Sequence, residues 1–227
     1  MRKSIFMFLA ALILAVPAFA LDGVFSPPIT SPDYNDKAFY GNYIVLANNG
    51  PVILYDINKG TSETIGQGAW PDIYGDTVVW SDSISDNIVK YNIATKATLQ
   101  ITTEGGYYFG ADATWRARLQ GSKIVWPGLN SVIQVHDLVT NQTVSLVDPI
   151  TLVPIAGNYV AIYDEKLAYL RDGNVYMFDP TKGESSMLGT VYNPSIDTPM
   201  IDANNVYWVG DGVVNPYKTI HKYNIST

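Results

Sequence analysis

The chain has 227 residues, no cysteine and a formal net charge of −7. An acidic chain lacks the basic surface that nucleic acid or an anionic membrane face requires, and without cysteine it has no disulfide and no thiol nucleophile. Its length suits one sizeable hydrophobic core.

Residues 1–20 read as a secretory leader. Arg2 and Lys3 form the basic start, Ile5 to Val16 the apolar run, and Ala18-Phe19-Ala20 a small-x-small site with cleavage after Ala20. The mature chain would then be 207 residues (227 minus 20) with charge −9 (−7 minus Arg2 and Lys3). Its expected location is outside the cytoplasm: extracellular, cell-surface or periplasmic. No further transmembrane segment follows, and an uncleaved N-terminal anchor is the alternative.

Beyond the leader one pattern occurs five times. A small residue precedes a short apolar strand: Gly41-Asn-Tyr-Ile-Val-Leu46, Gly75-Asp-Thr-Val-Val-Trp80, Gly121-Ser-Lys-Ile-Val-Trp126, Gly157-Asn-Tyr-Val-Ala-Ile162 and Ala203-Asn-Asn-Val-Tyr-Trp208. A second strand ends in Asp or Asn: Val52 to Asp56, Ile88 to Asn92, Ile133 to Asp137, Val175 to Asp179 and Ile220 to Asn224. Five copies in 207 residues average about 41 each, the length of a four-stranded propeller blade. The small residues with their Asn or Asp neighbours are turn chemistry, placing first strands ahead of them at Phe39, Ile73, Leu119, Ile155 and Ile201. Apolar residues on both parities (Val78 and Val79, Ile124 and Val125) predict a strand buried on both faces. Tyr55, Tyr91, His136, Phe178 and Tyr223 form an aromatic column in the third strand.

The expected fold is therefore all-β: a five-bladed β-propeller of four-stranded antiparallel blades. The copies fall near 34–66, 67–103, 104–148, 149–191 and 192–227, within one domain spanning 21–227. The last copy ends three residues after Asn224, so residues 21–33 are expected to close the ring as its outer strand. Their two prolines suit an edge. A two-sheet sandwich is the alternative, but it gives no reason for a fivefold repeat.

Pro71-Asp-Ile-Tyr-Gly-Asp-Thr-Val-Val-Trp-Ser-Asp82, followed by Asn87-Ile-Val-Lys-Tyr-Asn-Ile-Ala-Thr-Lys-Ala-Thr-Leu-Gln-Ile-Thr102, resembles the repeat of prokaryotic cell-surface and surface-layer β-propellers, which are related to TolB-type propellers. The resemblance implies an exported, envelope-associated protein and carries no catalytic residues onto this chain. The fourth and fifth copies drift from the repeat, and the G-H…W-D pattern of WD40 propellers is absent.

The residues that break the repeat are the candidate sites. The segment Glu104 to Arg118 is the longest between copies and concentrates Tyr107, Tyr108, Phe109, Trp115, Arg116 and Arg118, side chains that favour binding patches. The alternative is that its apolar residues cover a blade edge. His136 and His221 read as packing residues, and no metal or cofactor is expected. The acids repeated at the third-strand end (Asp56, Asp137, Asp179) read as turn caps. The singular acids Asp82, Asp112, Asp164, Glu165 and Asp197 leave a glycosidase as a lesser alternative. Asp82 to Asn87 offers oxygens of the kind Ca²⁺ takes, but lacks the EF-hand glycine and terminal Glu, so an inter-strand turn is the better reading. Asn141-Gln-Thr143 and Asn224-Ile-Ser226 are glycosylation sequons, with Asn141 in a turn. The functional expectation is a non-enzymatic scaffold binding another envelope protein or a glycan. A small lectin and a module that assembles in a surface lattice are the other readings.

Overall fold

A computed structural model describes residues 36–106, 116–148, 151–191, 199–211 and 218–225, all within the unit Pro32–Thr227. Every regular element there is a strand: β1 (Asp36–Tyr40), β2 (Tyr43–Ala47), β3 (Gly50–Asp56), β4 (Thr61–Tyr74), β5 (Thr77–Asp82), β6 (Asn87–Asn92) and β7 (Thr98–Gln100); β8 (Arg118–Gln120), β9 (Lys123–Pro127), β10 (Ile133–Asp137) and β11 (Gln142–Ser145); β12 (Asn158–Tyr163), β13 (Lys166–Arg171), β14 (Asn174–Asp179) and β15 (Glu184–Thr190); β16 (Met200–Ile201), β17 (Asn205–Asp211) and β18 (Lys218–Asn224). They form one seven-stranded sheet, β1 to β7 in order, two four-stranded sheets, β8 to β11 and β12 to β15, and a three-stranded sheet, β16 to β18. All pairing is antiparallel between neighbours in sequence. Among the described residues no helix is long and apolar enough to cross a membrane.

The seven-stranded sheet is two four-stranded arrays sharing β4. The first half of β4 pairs with β3 (Asp56↔Thr61 to Gly50↔Gly68), and its second half pairs with β5 (Asp72↔Val79 to Tyr74↔Thr77). Consecutive residues of each second strand then face opposite neighbours. Val78 and Trp80 pack with Val45, Val52 and Leu54. Val79 joins Ile88, Leu119, Ile124 and Trp126. Val125 joins Ile133, Leu167 and Tyr169, and Ala168 joins Val175, Val206 and Trp208. This explains the lost polar alternation: each second strand is the middle of a stack with a core on either face.

A β-bulge recurs in two outer strands, β4 and β15, where each leaves its partner. Ile65 is the extra residue between Thr64 (opposite Ile53) and Gly66 (opposite Val52), and Leu188 between Met187 (opposite Tyr176) and Gly189 (opposite Val175). Both side chains pack into the core shared with the next array. The glycine after each bulge seats the next array's tryptophan. A Cβ at Gly66 would lie 2.4 Å from Trp80 Cζ2, and one at Gly189 2.7 Å from Trp208 Cζ2.

The fourth copy corrects the register read from sequence. Tyr159 to Ile162 lies in β12, the first strand of its sheet, and not in the second. The turn is Asp164-Glu165, both left-handed (φ 47° and 65°), and the second strand is β13. Ile162 thus replaces Ile155 in the first-strand column, and Leu167 and Tyr169 replace Val160 and Ile162 in the second. Gly157-Asn-Tyr-Val-Ala-Ile162 mimics Gly41-Asn-Tyr-Ile-Val-Leu46, but Gly157 has a packing reason: its Cβ would lie 2.3 Å from Tyr169 Cδ2. From Asp164 to Asp179 is 15 residues, the same as from Gly41 to Asp56.

Residues 1–35, with the leader and the expected closing strand 21–33, lie outside the described residues. No pairing joins β16 to β18 with β1 among the described strands.

Candidate functional site

The first strands surround a common cavity of about 760 Å³, lined by residues of β1 (Phe39), β4 (Asp72), β8 (Arg118, Leu119), β12 (Ala161, Ile162) and β16 (Met200, Ile201). Their equivalence follows from register: Phe39, Ile73, Leu119, Ile162 and Ile201 each pair with the first apolar residue of the next strand. Counting back three residues places Asp36, Trp70, Arg116 and Tyr159 at corresponding positions on four inner segments. The first three of these line a small adjoining cavity.

Two of these positions, Trp70 and Tyr159, share a backbone device. β4 shifts register between Ala69 and Asp72, and β12 between Asn158 and Ala161. The bulges put Trp70 and Tyr159 in left-handed conformations, with φ 53° and 50°. Bulky side chains adopt that region at a cost of roughly 1–3 kcal/mol, a strain typically kept where a side chain must be aimed. Trp70 and Tyr159 are both buried. The Trp70 N–H donates to Asp36 Oδ2 (3.4 Å), and Arg116 Nη2 lies 3.4 Å from Asp36 Oδ1 with its guanidinium 5.9 Å from the centre of the Trp70 ring. Burial lowers the pKa of Arg116, and the Asp36 carboxylate opposes the shift. Arg116 Nε is buried without a hydrogen-bond partner.

Two residues further along stand Asp72 and Arg118. Asp72 Oδ2 accepts the Leu119 N–H (2.9 Å) and Oδ1 accepts the Ile73 N–H (2.9 Å), so its carboxyl ties two inner strands together. Burial pushes Asp72 above the ordinary carboxyl range, against the pull of Arg118 and these two donors. Arg118 is half-buried on the cavity wall and makes no ion pair or hydrogen bond among the described residues. A guanidinium that faces the Asp72 carboxyl without a direct hydrogen bond among the described residues, on a wall that also holds Phe39, Met200 and Val209, can take a carboxylate or phosphate oxygen beside an apolar group.

Of the residues singled out in the sequence, Arg116 and Arg118 reach this cavity. Tyr107, Tyr108, Phe109 and Trp115 lie outside the described residues, as do Asp112 and Asp197. Sequence reasoning missed Asp36, Trp70, Asp72 and Tyr159. Asp36, Trp70 and Tyr159 share a signal, a position three before each first-strand apolar residue that never repeats its side chain, whereas Asp72 lies one residue before Ile73. Asp72 is the one carboxyl among the described cavity-lining residues.

The repeated acids are turn caps. Asp56 Oδ1 accepts the N–H groups of Asn58 and Lys59, Asp137 Oδ1 those of Val139 and Thr140, and Asp179 Oδ1 that of Thr181. Asn92 does the same for Thr95. Lys123, 2.6 Å from Asp137 Oδ2, leads the effects that hold that carboxyl at a pKa of about 2. Asp82 Oδ2 accepts the Ser85 N–H and Oγ–H (both 2.7 Å), so the Asp82 to Asn87 oxygens serve a hydrogen-bonded turn. Asp164 and Glu165 form the β12–β13 turn. No group of three His, Cys, Asp or Glu suited to a metal occurs among the described residues. His136 is buried in the aromatic column, its Nδ1 2.9 Å from Thr143 Oγ1, and His221 stacks on Trp208 at 5.3 Å. Asn141 is exposed in the β10–β11 turn with φ 56°.

No protein-family model matches the sequence, and no curated protein does. Solved structures match it across most of its described length. A chain of the nidogen/laminin complex is 12% identical with TM-score 0.55, covering 83% of this chain and 78% of that one. TolB from Acinetobacter baumannii is 13% identical with TM-score 0.53, covering 83% and 54%. The computationally designed Ika8 protein is 18% identical with TM-score 0.55, covering 83% and 57%. This chain thus spans little more than half the length of the last two. At these identities the likeness defines the class alone: the chain is an all-β protein with a β-propeller fold.

Proposed function

We propose that the protein is an exported, non-catalytic five-bladed propeller that binds another envelope macromolecule through its central cavity. The two arrays sharing β4 count as two blades, and residues 21–33 complete the last blade beside β18. Export rests on the leader sequence. The observation that carries the binding reading is Arg118, a cavity-wall guanidinium that attracts the buried Asp72 but forms no ion pair among the described residues, next to an Arg116 already held by Asp36. An extended acidic segment of a partner protein offers the matching carboxylate. The described cavity lining carries one carboxyl, Asp72, whereas glycoside hydrolysis ordinarily uses two.

Capture from envelope extract by the mature protein and by Arg118→Glu tests this. The expected outcome is a partner retained by the first and lost by the second, with an unchanged melting temperature. Equal capture by both contradicts it. Deleting residues 21–33 tests closure separately, and a sharply lower melting temperature is expected.

A further inference from the structure

A second hollow, of about 490 Å³, lies at the seam between the β1–β7 sheet and the β8–β11 sheet. Its origin is a difference between two tryptophans of one column. At Trp80 the covering strand continues through Gly66 and Gly68, whose added Cβ atoms would sit 2.4 and 2.7 Å from the indole. At Trp126 the corresponding segment bulges, with the Ile101 and Thr102 N–H groups both directed to Ile88 O (2.8 and 3.4 Å). It then turns away through Thr103 and Glu104. Asn87 Oδ1 holds this departure by accepting Thr102 Oγ1–H (2.8 Å) and Gly105 N–H (3.0 Å).

Trp126 lines the hollow, and its indole N–H is buried without a hydrogen-bond partner. The Trp80 and Trp208 N–H groups are also unpartnered, but the strands over Gly66 and Gly189 exclude any ligand there. Around Trp126 stand the Thr103 hydroxyl, the Glu104 carboxylate and the Asn130, Gln134 and Thr143 side chains, with Leu129 about half exposed beside them. Glu104 is the one charged group among the described residues of this lining. By contrast, the other polar hollow, at Tyr43 and Asp76, is lined by Asp56–Lys59 and Glu63–Lys96 pairs that neutralise each other.

Amides, hydroxyls and one carboxylate around an apolar patch and a tryptophan match a ligand with many hydroxyls and little charge. The volume lies in the range of small-molecule sites, roughly 300–1,000 Å³. We propose that this hollow binds a neutral saccharide unit, independently of the central cavity.

The test is saturation-transfer NMR together with tryptophan-fluorescence titration of the mature protein, using maltose, cellobiose and N,N′-diacetylchitobiose. Saturable binding of at least one is expected. Trp126→Phe and Thr103→Val should each weaken it about tenfold, the cost of one lost hydrogen bond. Arg118→Glu should leave it unchanged, which separates this site from the central cavity. Thr103 is exposed, so its variant reports even where Trp126→Phe fails to fold. Absence of saturable binding for all three sugars, or binding that Thr103→Val leaves intact, overturns the proposal.

Discussion

The seams between sheets and the inner wall of the cavity follow opposite rules. In the seams the same residue types recur: Val78, Ile124, Leu167 and Val206 in one column, and Trp80, Trp126, Tyr169 and Trp208 two residues on. On the inner segments the equivalent positions hold Asp36, Trp70, Arg116 and Tyr159, no two alike. Packing one sheet on the next poses the same problem at each seam, so one solution is repeated. On the proposed reading, a ligand in the central cavity meets several inner strands at once and takes a different group from each, Asp72, Arg118 and Met200 among them. Repetition marks what holds the molecule together, and its breakdown marks the wall proposed to bind a partner.

Variants sharpen that contrast. Trp80→Ala should have the largest effect, a loss of about 3–5 kcal/mol, because a fully buried ring is removed from a seam that cannot refill. Chemical denaturation measures it. Gly157→Ala comes next, at about 1–3 kcal/mol, since the methyl must displace the Tyr169 ring or the Leu170 carbonyl. A methyl at Gly75 meets no atom within 4 Å, so Gly75→Ala bears only the left-handed φ of 57° and should cost about 1 kcal/mol. Equal losses for these two glycines would break the seam account.

A smaller effect belongs to the turn caps. The Asp137 carboxyl titrates near 2 in the folded protein, below the unfolded value of about 3.9. Its contribution is therefore complete above about pH 4 and is lost as pH falls through 2. Asp137→Asn should flatten the acid limb of stability between those values, read from melting temperature against pH. Arg118→Ala should have the smallest effect on stability, within about 0.5 kcal/mol, because the side chain makes no ion pair or hydrogen bond among the described residues.

Much of the fold was legible because turns and apolar columns repeat. Tyr55, Tyr91, His136 and Phe178 fall in one buried column, as their spacing implies. The fourth copy misled because Gly157-Asn158 has turn chemistry while its glycine is kept for a ring packed against it. The bulge residues Ile65 and Leu188 were illegible, since an extra residue in a strand leaves no mark on composition. The site was legible in part. Arg116 and Arg118 stood out as cations in an acidic chain. Their companions Asp72 and Met200 on the central cavity and Asp36 in the small adjoining one come from strands far apart in sequence, and only the arrangement of first strands brings them together.

The proposed division between a repeated frame and a singular binding wall is tested most directly by one paired measurement on Arg118→Glu: its melting temperature and its capture of the proposed acidic partner segment, each beside the wild type. An unchanged melting temperature with capture abolished is the expected result. Undiminished capture by the folded variant would contradict the account.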